Sequence, residues 1–257
     1  MNARLDANGK PVTVTILGSA DAFASGGRAQ AGYLVESGGK NFMLEAGPGL
    51  LGALKKAGIS PAALDFVIVS HLHGDHFAGL PFLFLEYMYE SRLRKTVVIA
   101  GPPKLEERTW KLTRTMFPRI DVDTARRRIK FMVLKPGERT RLGRAARLSA
   151  IRSPHTSPDI SLSVKLETGG KTIVFSGDTG WNEELVDFSQ GADLMLCECT
   201  YYESDHFQFH INYPQLRSNR GRFRVGRILL THLGSEVLRH GSDIEMEMAF
   251  DGMKVEL

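Results

Sequence analysis

Ser70-His71-Leu72-His73-Gly74-Asp75-His76 decides what kind of chain this is. Four metal-ligand side chains fall within six residues. The apolar run Phe66–Val69 just before it reads as a short strand, so His71 stands at a strand end. The i, i+2 spacing puts His73 on the same side as His71. Gly74 is expected to allow a sharp turn that returns Asp75 and His76 toward the same cavity. Neutral imidazoles with a carboxylate suit zinc, and also manganese or iron. The alternative is a polar loop with no ligand. It is disfavoured, because a strand of core residues does not ordinarily end in three His and an Asp.

Four ligands on one turn overfill a single tetrahedral ion, and open catalytic sites use about three protein ligands. Two ions about 3.5–4 Å apart could share the loop. They would need further ligands, one of them able to bridge. Three candidates occur at strand ends or in Gly/Pro turns: His155 in Ser153-Pro154-His155-Thr156, Asp178 in Ser176-Gly177-Asp178-Thr179, and His232 in Thr231-His232-Leu233. A carboxylate such as Asp178 can bridge two ions, whereas an imidazole normally cannot. Each alone reads as a surface or satisfied residue; with the cluster, ligation is favoured for all three.

Working outward, Val12–Leu17 reads as a buried strand ending in Gly18-Ser19. Gly32–Glu36 and Asn41–Leu44 flank a tight Ser37-Gly38-Gly39-Lys40 turn. Leu50–Ala57 suits a helix with Gly58 as its stop. A helix is expected over Phe82–Arg92 and another near Leu105–Met116. Strands are expected at Val97–Ala100, Arg147–Ile151, Ser161–Leu166, Thr172–Phe175, Leu194–Cys197 and Arg227–Leu230. Lys104–Arg144 is the least patterned part and is expected to lie over a site. Two echoes suggest duplicated halves. Glu36-Ser37-Gly38-Gly39-Lys40 recurs as Glu167-Thr168-Gly169-Gly170-Lys171, and Val67–Leu72 resembles Ile228–Leu233. No linker separates the halves, so residues 1–257 are expected to form a single domain.

Composition narrows the class. At 257 residues, 42% hydrophobic and 24% charged, the chain is globular and long enough for a sizeable core. The net charge of +4 is mildly basic, with basic stretches around Arg92, Arg126–Lys130, Arg139–Arg147 and Arg217–Arg227. A solvated surface explains these more simply than attraction of a phosphodiester or nucleic acid. The only cysteines, Cys197 and Cys199, share one strand face and are expected to be small buried residues, which fits a reducing cytoplasm. Met1–Val14 has no apolar core of signal-peptide length, and no 18-residue apolar run occurs, so a cytoplasmic protein with no membrane partner is expected.

The pattern His71-x-His73-x-Asp75-His76, then His155, Asp178 and His232, resembles the metallo-β-lactamase-fold hydrolase superfamily. Ile16-Leu17-Gly18-Ser19, Leu44-Glu45-Ala46-Gly47-Pro48-Gly49 and Ser70–Leu80 are similar to its ribonuclease Z-like branch. That resemblance covers about Val12 to His232. It implies an α/β fold, a four-layer αβ/βα sandwich with a dinuclear metal site at the sheet edge. His71, His73 and His155 would hold one ion, Asp75, His76 and His232 the other, and Asp178 would bridge them. His210 matches a further His that contacts the scissile phosphate or assists the leaving group; His206 is a near neighbour open to confusion with it. His240 lies past the motifs and reads as a surface residue.

Two departures matter. Glu45 stands where the branch has Asp, which remodels a contact behind the ligands. Only 22 residues separate His155 from Asp178, where tRNA-processing members carry a long tRNA-gripping arm. The expected reaction is hydrolysis by a metal-bridging hydroxide attacking phosphorus, with Asp75 and His210 as catalytic groups and Glu45 as one acceptor for a ligand's second N–H. The expected cofactors are two divalent ions, zinc first, then manganese or iron. A small or cyclic phosphodiester is the leading substrate. The alternatives are a ribonuclease Z-like nuclease acting on nucleic acid and a hydrolase of a lactone, thioester or aryl sulfate. A retired scaffold that only carries metal is argued against by the complete ligand set. A homodimer is consistent with the branch.

Overall fold

The apolar runs expected to be strands all become strands, and their alternation builds two sheets with two faces each. The computed structural model describes residues 11–91, 93–203 and 208–257. The expectations for the extreme N-terminus, Arg92 and His206 fall on residues outside these ranges.

The first sheet contains β1 (Thr13–Gly18), β2 (Gly32–Ser37), β3 (Lys40–Leu44), β4 (Phe66–Ile68), β5 (Val97–Gly101), β6 (Ile129–Val133) and β13 (Lys254–Glu256), in the order β13-β1-β2-β3-β4-β5-β6. The second contains β7 (Arg139–Leu142), β8 (Ala146–Ser153), β9 (Ser161–Thr168), β10 (Lys171–Phe175), β11 (Leu194–Glu198) and β12 (Arg227–Thr231), in the order β12-β11-β10-β9-β8-β7. On β3, Phe42 and Leu44 face the second sheet while Met43 faces helices. On β10, Ile173 and Phe175 face inward while Val174 faces outward. Period-two alternation thus gives each sheet one face for the other sheet and one for helices.

Helices α1 (Leu50–Lys56), α3 (Leu80–Tyr89), α4 (Leu105–Met116) and α5 (Val122–Arg126) cover the first sheet through Leu54, Leu83, Phe84, Trp110 and Ala125. Helices α6 (Glu183–Ser189), α7 (Tyr213–Asn219) and α8 (Ser235–Arg239) cover the second through Leu185, Leu216 and Val237. The result is helix, sheet, sheet, helix: the αβ/βα sandwich. Cys197 and Cys199 are buried, unpaired thiols in that outer core. Among the described residues, no helix is long and apolar enough to cross a membrane.

Several expectations need correction. Helix α3 starts at Leu80, two residues early, because Pro81 is preset for the first turn. It stops at Tyr89, where Ser91 donates from both its N–H and its hydroxyl to Glu86. Residues 104–144 are not a cover over the site. They supply α4 and α5, packed on the first sheet, and two edge strands, β6 and β7. β6 pairs in parallel with β5, and β7 forms a hairpin with β8. Their charged outer positions, such as Lys130, Arg139 and Arg141, hid the strand pattern; charged edge strands resist unwanted pairing.

Of the two echoes, only the hairpin occupies equivalent places. β2–β3 and β9–β10 are antiparallel pairs, each followed by two parallel strands. By that order β4 corresponds to β11, not β12. The likeness of Val67–Leu72 to Ile228–Leu233 therefore reflects two strands ending in His at one edge, not a repeat.

Asp65, just before β4, ties this half together. It accepts from Lys40 Nζ at 2.9 Å and from the Asn41 N–H at 3.1 Å, and Lys95 Nζ lies 2.9 Å away. Burial would raise its carboxyl pKa, but the two ammonium groups outweigh burial and hold it below the ordinary value. A depressed folded pKa stabilises above the unfolded value, and the gain is lost as pH falls through the folded one. Asp65→Asn is expected to cost about 1–2 kcal/mol at pH 7. In paired urea titrations the gap should narrow as pH drops below about 3.9. A gap that is constant with pH would count against the ion pairs as its source.

Candidate metal centre

Strand direction builds the site. β3, β4, β8, β10, β11 and β12 all end at one edge of the sandwich, the usual ligand edge for parallel strands. Their ends lead to Glu45, His71, His155, Asp178, Glu198 and His232 respectively. Asp75 and His76 arrive differently from expectation. Gly74 opens a helical turn, α2 (Gly74–Phe77), and the helical rotation aims both side chains inward, so no glycine-only conformation is needed. Close approach does demand a glycine at Gly47. A β-carbon there would lie 2.5 Å from the Asp75 carbonyl oxygen, so the Gly-Pro-Gly turn packs directly under the ligand helix. Glu45 and His232 both take left-handed backbone (φ 66° and 52°). For non-glycine residues such strain clusters at functional sites.

The structure brings together all seven of the predicted ligands. Donor atoms of His71, His73, His155 and Asp178 lie within 4.8 Å of one another, and so do those of Asp75, His76, Asp178 and His232. Asp178 belongs to both groups. Its Oδ2 is 3.7 Å from His71 Nε2, 3.2 Å from His76 Nε2, 3.7 Å from His155 Nε2 and 3.4 Å from His232 Nε2. Asp75 Oδ2 is 3.1 Å from His76 Nε2 and 3.3 Å from His232 Nε2.

The far sides of the rings are anchored. His71 Nδ1 pairs with Ser70 Oγ at 2.9 Å, His155 Nδ1 with the Phe209 carbonyl at 2.8 Å, and His232 Nδ1 with Thr200 Oγ1 at 2.8 Å. Glu45 accepts from the Ser70 N–H at 2.9 Å, and its other oxygen lies 3.4 Å from His76 Nδ1. That 3.4 Å contact is an ion-pair distance without hydrogen-bond geometry.

These residues fit a divalent cation. His71 Nε2, His76 Nε2 and Asp178 Oδ1 are buried with no hydrogen-bond partner, a cost that an ion would remove. Burial pushes the His71, His73 and His155 imidazoles down, toward the neutral form that ligates. For His76 and His232 burial is outweighed by the Asp178 carboxylate and they are pushed up, so an ion would compete with protons there. Asp178 and Asp75 are held low despite burial by His232 and His76. Burial pushes the Glu45 carboxyl up.

His210 stands beside the ligands, its ring 4.8 Å from His155 and 5.5 Å from His232. Its Nδ1 lies 3.1 Å from both oxygens of Glu198, a residue the sequence reading passed over. Glu198 is fully buried and also accepts from the Thr179 N–H and the Thr200 hydroxyl. Burial would lower the His210 pKa, but Glu198 outweighs it and raises it to about 9. Glu198 had the same signal as the other site residues: Leu194-Met195-Leu196-Cys197 is an apolar strand that ends in it. His240 lies apart, stacked on Tyr202 at 4.1 Å.

The fold and this cluster define a metal-dependent hydrolase of the metallo-β-lactamase superfamily, in its ribonuclease Z-like branch. Residues 12–251 match the family described as Anti-Pycsar protein Apyc1, and the chain belongs to that family. It is 26% identical over 245 residues to the probable metallo-hydrolase YhfI of Bacillus subtilis, covering 93% of this chain and 94% of that one. The crystal structure of YhfI superposes with a TM-score of 0.77, over 96% of this chain and 99% of the other. Ribonuclease Z of Ignicoccus hospitalis is 26% identical over 277 residues, covering 88% of this chain and 89% of its own. Human tRNase Z, short form, shares the fold at 21% identity with a TM-score of 0.75, over 95% and 98% of the two chains.

Proposed function

We propose that the chain is a phosphodiesterase that hydrolyses a small or cyclic phosphodiester at a centre of two divalent ions, zinc first. The observation that carries this is the pair of donor groups sharing Asp178, with the His210–Glu198 pair beside them. In this reading His71, His73 and His155 hold one ion, Asp75, His76 and His232 the other, and Asp178 lies between. Bound ions would supply Lewis acidity toward the phosphate and make a water nucleophilic near neutral pH. Ser70, Thr200 and the Phe209 carbonyl hold ring orientations through hydrogen bonds, and Glu45 faces the His76 ring. Asp75 keeps His76 and His232 in place, and His210, charged against Glu198, donates to the leaving oxygen. The whole chain acts as one cytoplasmic hydrolase domain, since both halves supply ligands.

Small substrates are favoured over nucleic acid because several arginines of the basic stretches are engaged within the chain. Arg217, Arg222 and Arg227 pair with Glu245, Glu183 and Glu247. Arg126 lies over the Trp110 ring at 5.2 Å, and Arg128 donates to the Arg94 carbonyl. The test is hydrolysis of bis(p-nitrophenyl) phosphate by protein loaded with Zn²⁺ or Mn²⁺. Turnover that tracks metal content is the expected result. No turnover with either metal, in protein carrying two equivalents, would move the activity to another ester class.

A further inference from the structure

We infer that Phe23 and Phe209 form an aromatic rim that receives a planar ring carried by the phosphate ester and so determine specificity. This rests on the reading of the site as one that binds phosphate esters. Phe23 is 87% exposed and Phe209 55%. Single exposed apolar side chains are ordinary on a protein surface. These two differ in how they are held and where.

Phe23 sits at the tip of a turn organised by a buried carboxylate. Asp21 accepts from the Phe23 N–H at 3.1 Å, the Ser25 N–H at 3.2 Å and the Ser25 hydroxyl at 3.0 Å. Ala24 is left-handed there (φ 53°), and its N–H donates to the Asp21 carbonyl at 3.1 Å. A strained, fully bonded turn thus holds an apolar ring in water. The base of this turn is fixed to the site. Ser19 accepts from the Leu233 N–H at 2.9 Å, and Ala20 bridges to Leu233, the residue after His232.

Phe209 is fixed to the other side of the cluster. Its carbonyl takes the His155 Nδ1 hydrogen bond. The carbonyl of Gln208 sits where Gly180 leaves room for it; a β-carbon on Gly180 would be 1.9 Å away. Gly180 in turn donates to Pro154, next to His155, at 2.9 Å. Both rings therefore stand on backbone bonded to residues flanking the metal-binding cluster. Ala22, Ala24 and Gln208 beside them carry no charge. Exposed rings carried on hydrogen-bonded backbone suit stacking on an aromatic group, with little ordering cost on binding.

The test is calorimetric titration of metal-loaded protein with phenyl phosphate and with methyl phosphate, two anions that differ by a ring. Wild type should bind phenyl phosphate about tenfold more tightly. That preference should collapse in Phe23→Ala and Phe209→Ala and persist in Phe23→Trp, and methyl phosphate affinity should be unchanged in Phe23→Ala. Equal affinities in wild type, or a preference that survives both alanine variants, would overturn the rim. A dimer in wild type that dissociates in Phe23→Ala, seen by sedimentation, would assign Phe23 to a second copy and overturn it too. A ring preference lost in the variants supports the rim even if bis(p-nitrophenyl) phosphate is not hydrolysed, and that absence would fall on the phosphodiesterase reading alone.

Discussion

Asp178→Ala protein is expected to lose at least about 10³-fold in kcat/KM on bis(p-nitrophenyl) phosphate, roughly 4 kcal/mol of transition-state stabilisation. It is also expected to purify with no more than half the metal of wild type. Asp178 is the one residue common to both donor groups, and its Oδ2 faces four imidazole nitrogens at 3.2–3.7 Å. Without it, each group of four drops to three donors. The separation between positive centres would also lose the carboxylate that screens it. Asp178→Asn keeps the volume and removes the charge, so it should match the alanine variant in activity while keeping the wild-type fold by circular dichroism. Metal content by mass spectrometry, read beside activity, separates loss of ions from loss of structure. Wild-type turnover in either variant would sink the ligand assignment.

The fold was legible because each sheet has one apolar face for the other sheet and one for helices, so its inner strands read as unbroken apolar runs. The candidate ligands were legible for a related reason: a polar metal-ligand residue directly after a core strand has nowhere to go but the sheet edge. His71, Asp178 and His232 all obey that rule, and so does Glu198. Glu198 was passed over because a single acid in Leu194–Glu198 carries no spacing pattern; its meaning depends on His210, 12 residues on, and on Thr179, 19 residues back. Gly74 was misread for the opposite reason. Glycine after a His suggests a sharp turn, yet the chain goes into an ordinary helical turn, and close packing instead requires a glycine at Gly47. The edge strands β6 and β7 escaped notice because charge on an exposed edge erases the alternation that identifies inner strands.

The second large effect concerns the proton on His210. Its imidazole is held in the charged form, with a pKa raised to about 9, by Glu198, which outweighs burial. A group with a raised pKa keeps its proton through the neutral range and loses it on the alkaline side. His210 can therefore donate to a leaving oxygen at neutral pH, and the alkaline limb of kcat should report its loss. Replacing Glu198 by Gln removes the charge while keeping a side chain of similar shape. The His210 pKa then falls, and the alkaline limb should move to lower pH by more than one unit. Bound cations repel the imidazolium in both proteins, so the displacement between the two profiles is the quantity to read. The size of the effect should depend on the leaving group. A p-nitrophenolate leaves without help, so His210→Ala should cost about tenfold on bis(p-nitrophenyl) phosphate. Diphenyl phosphate has a more basic leaving oxygen and should suffer about 10²–10³-fold, within the range for general acid catalysis. Metal content should be unchanged in both variants, because the proposed assignment leaves His210 and Glu198 out of the ligand set. Equal losses on the two diesters would mean that His210 positions the substrate and donates no proton. An unmoved alkaline limb in Glu198→Gln would remove Glu198 from the proton's control.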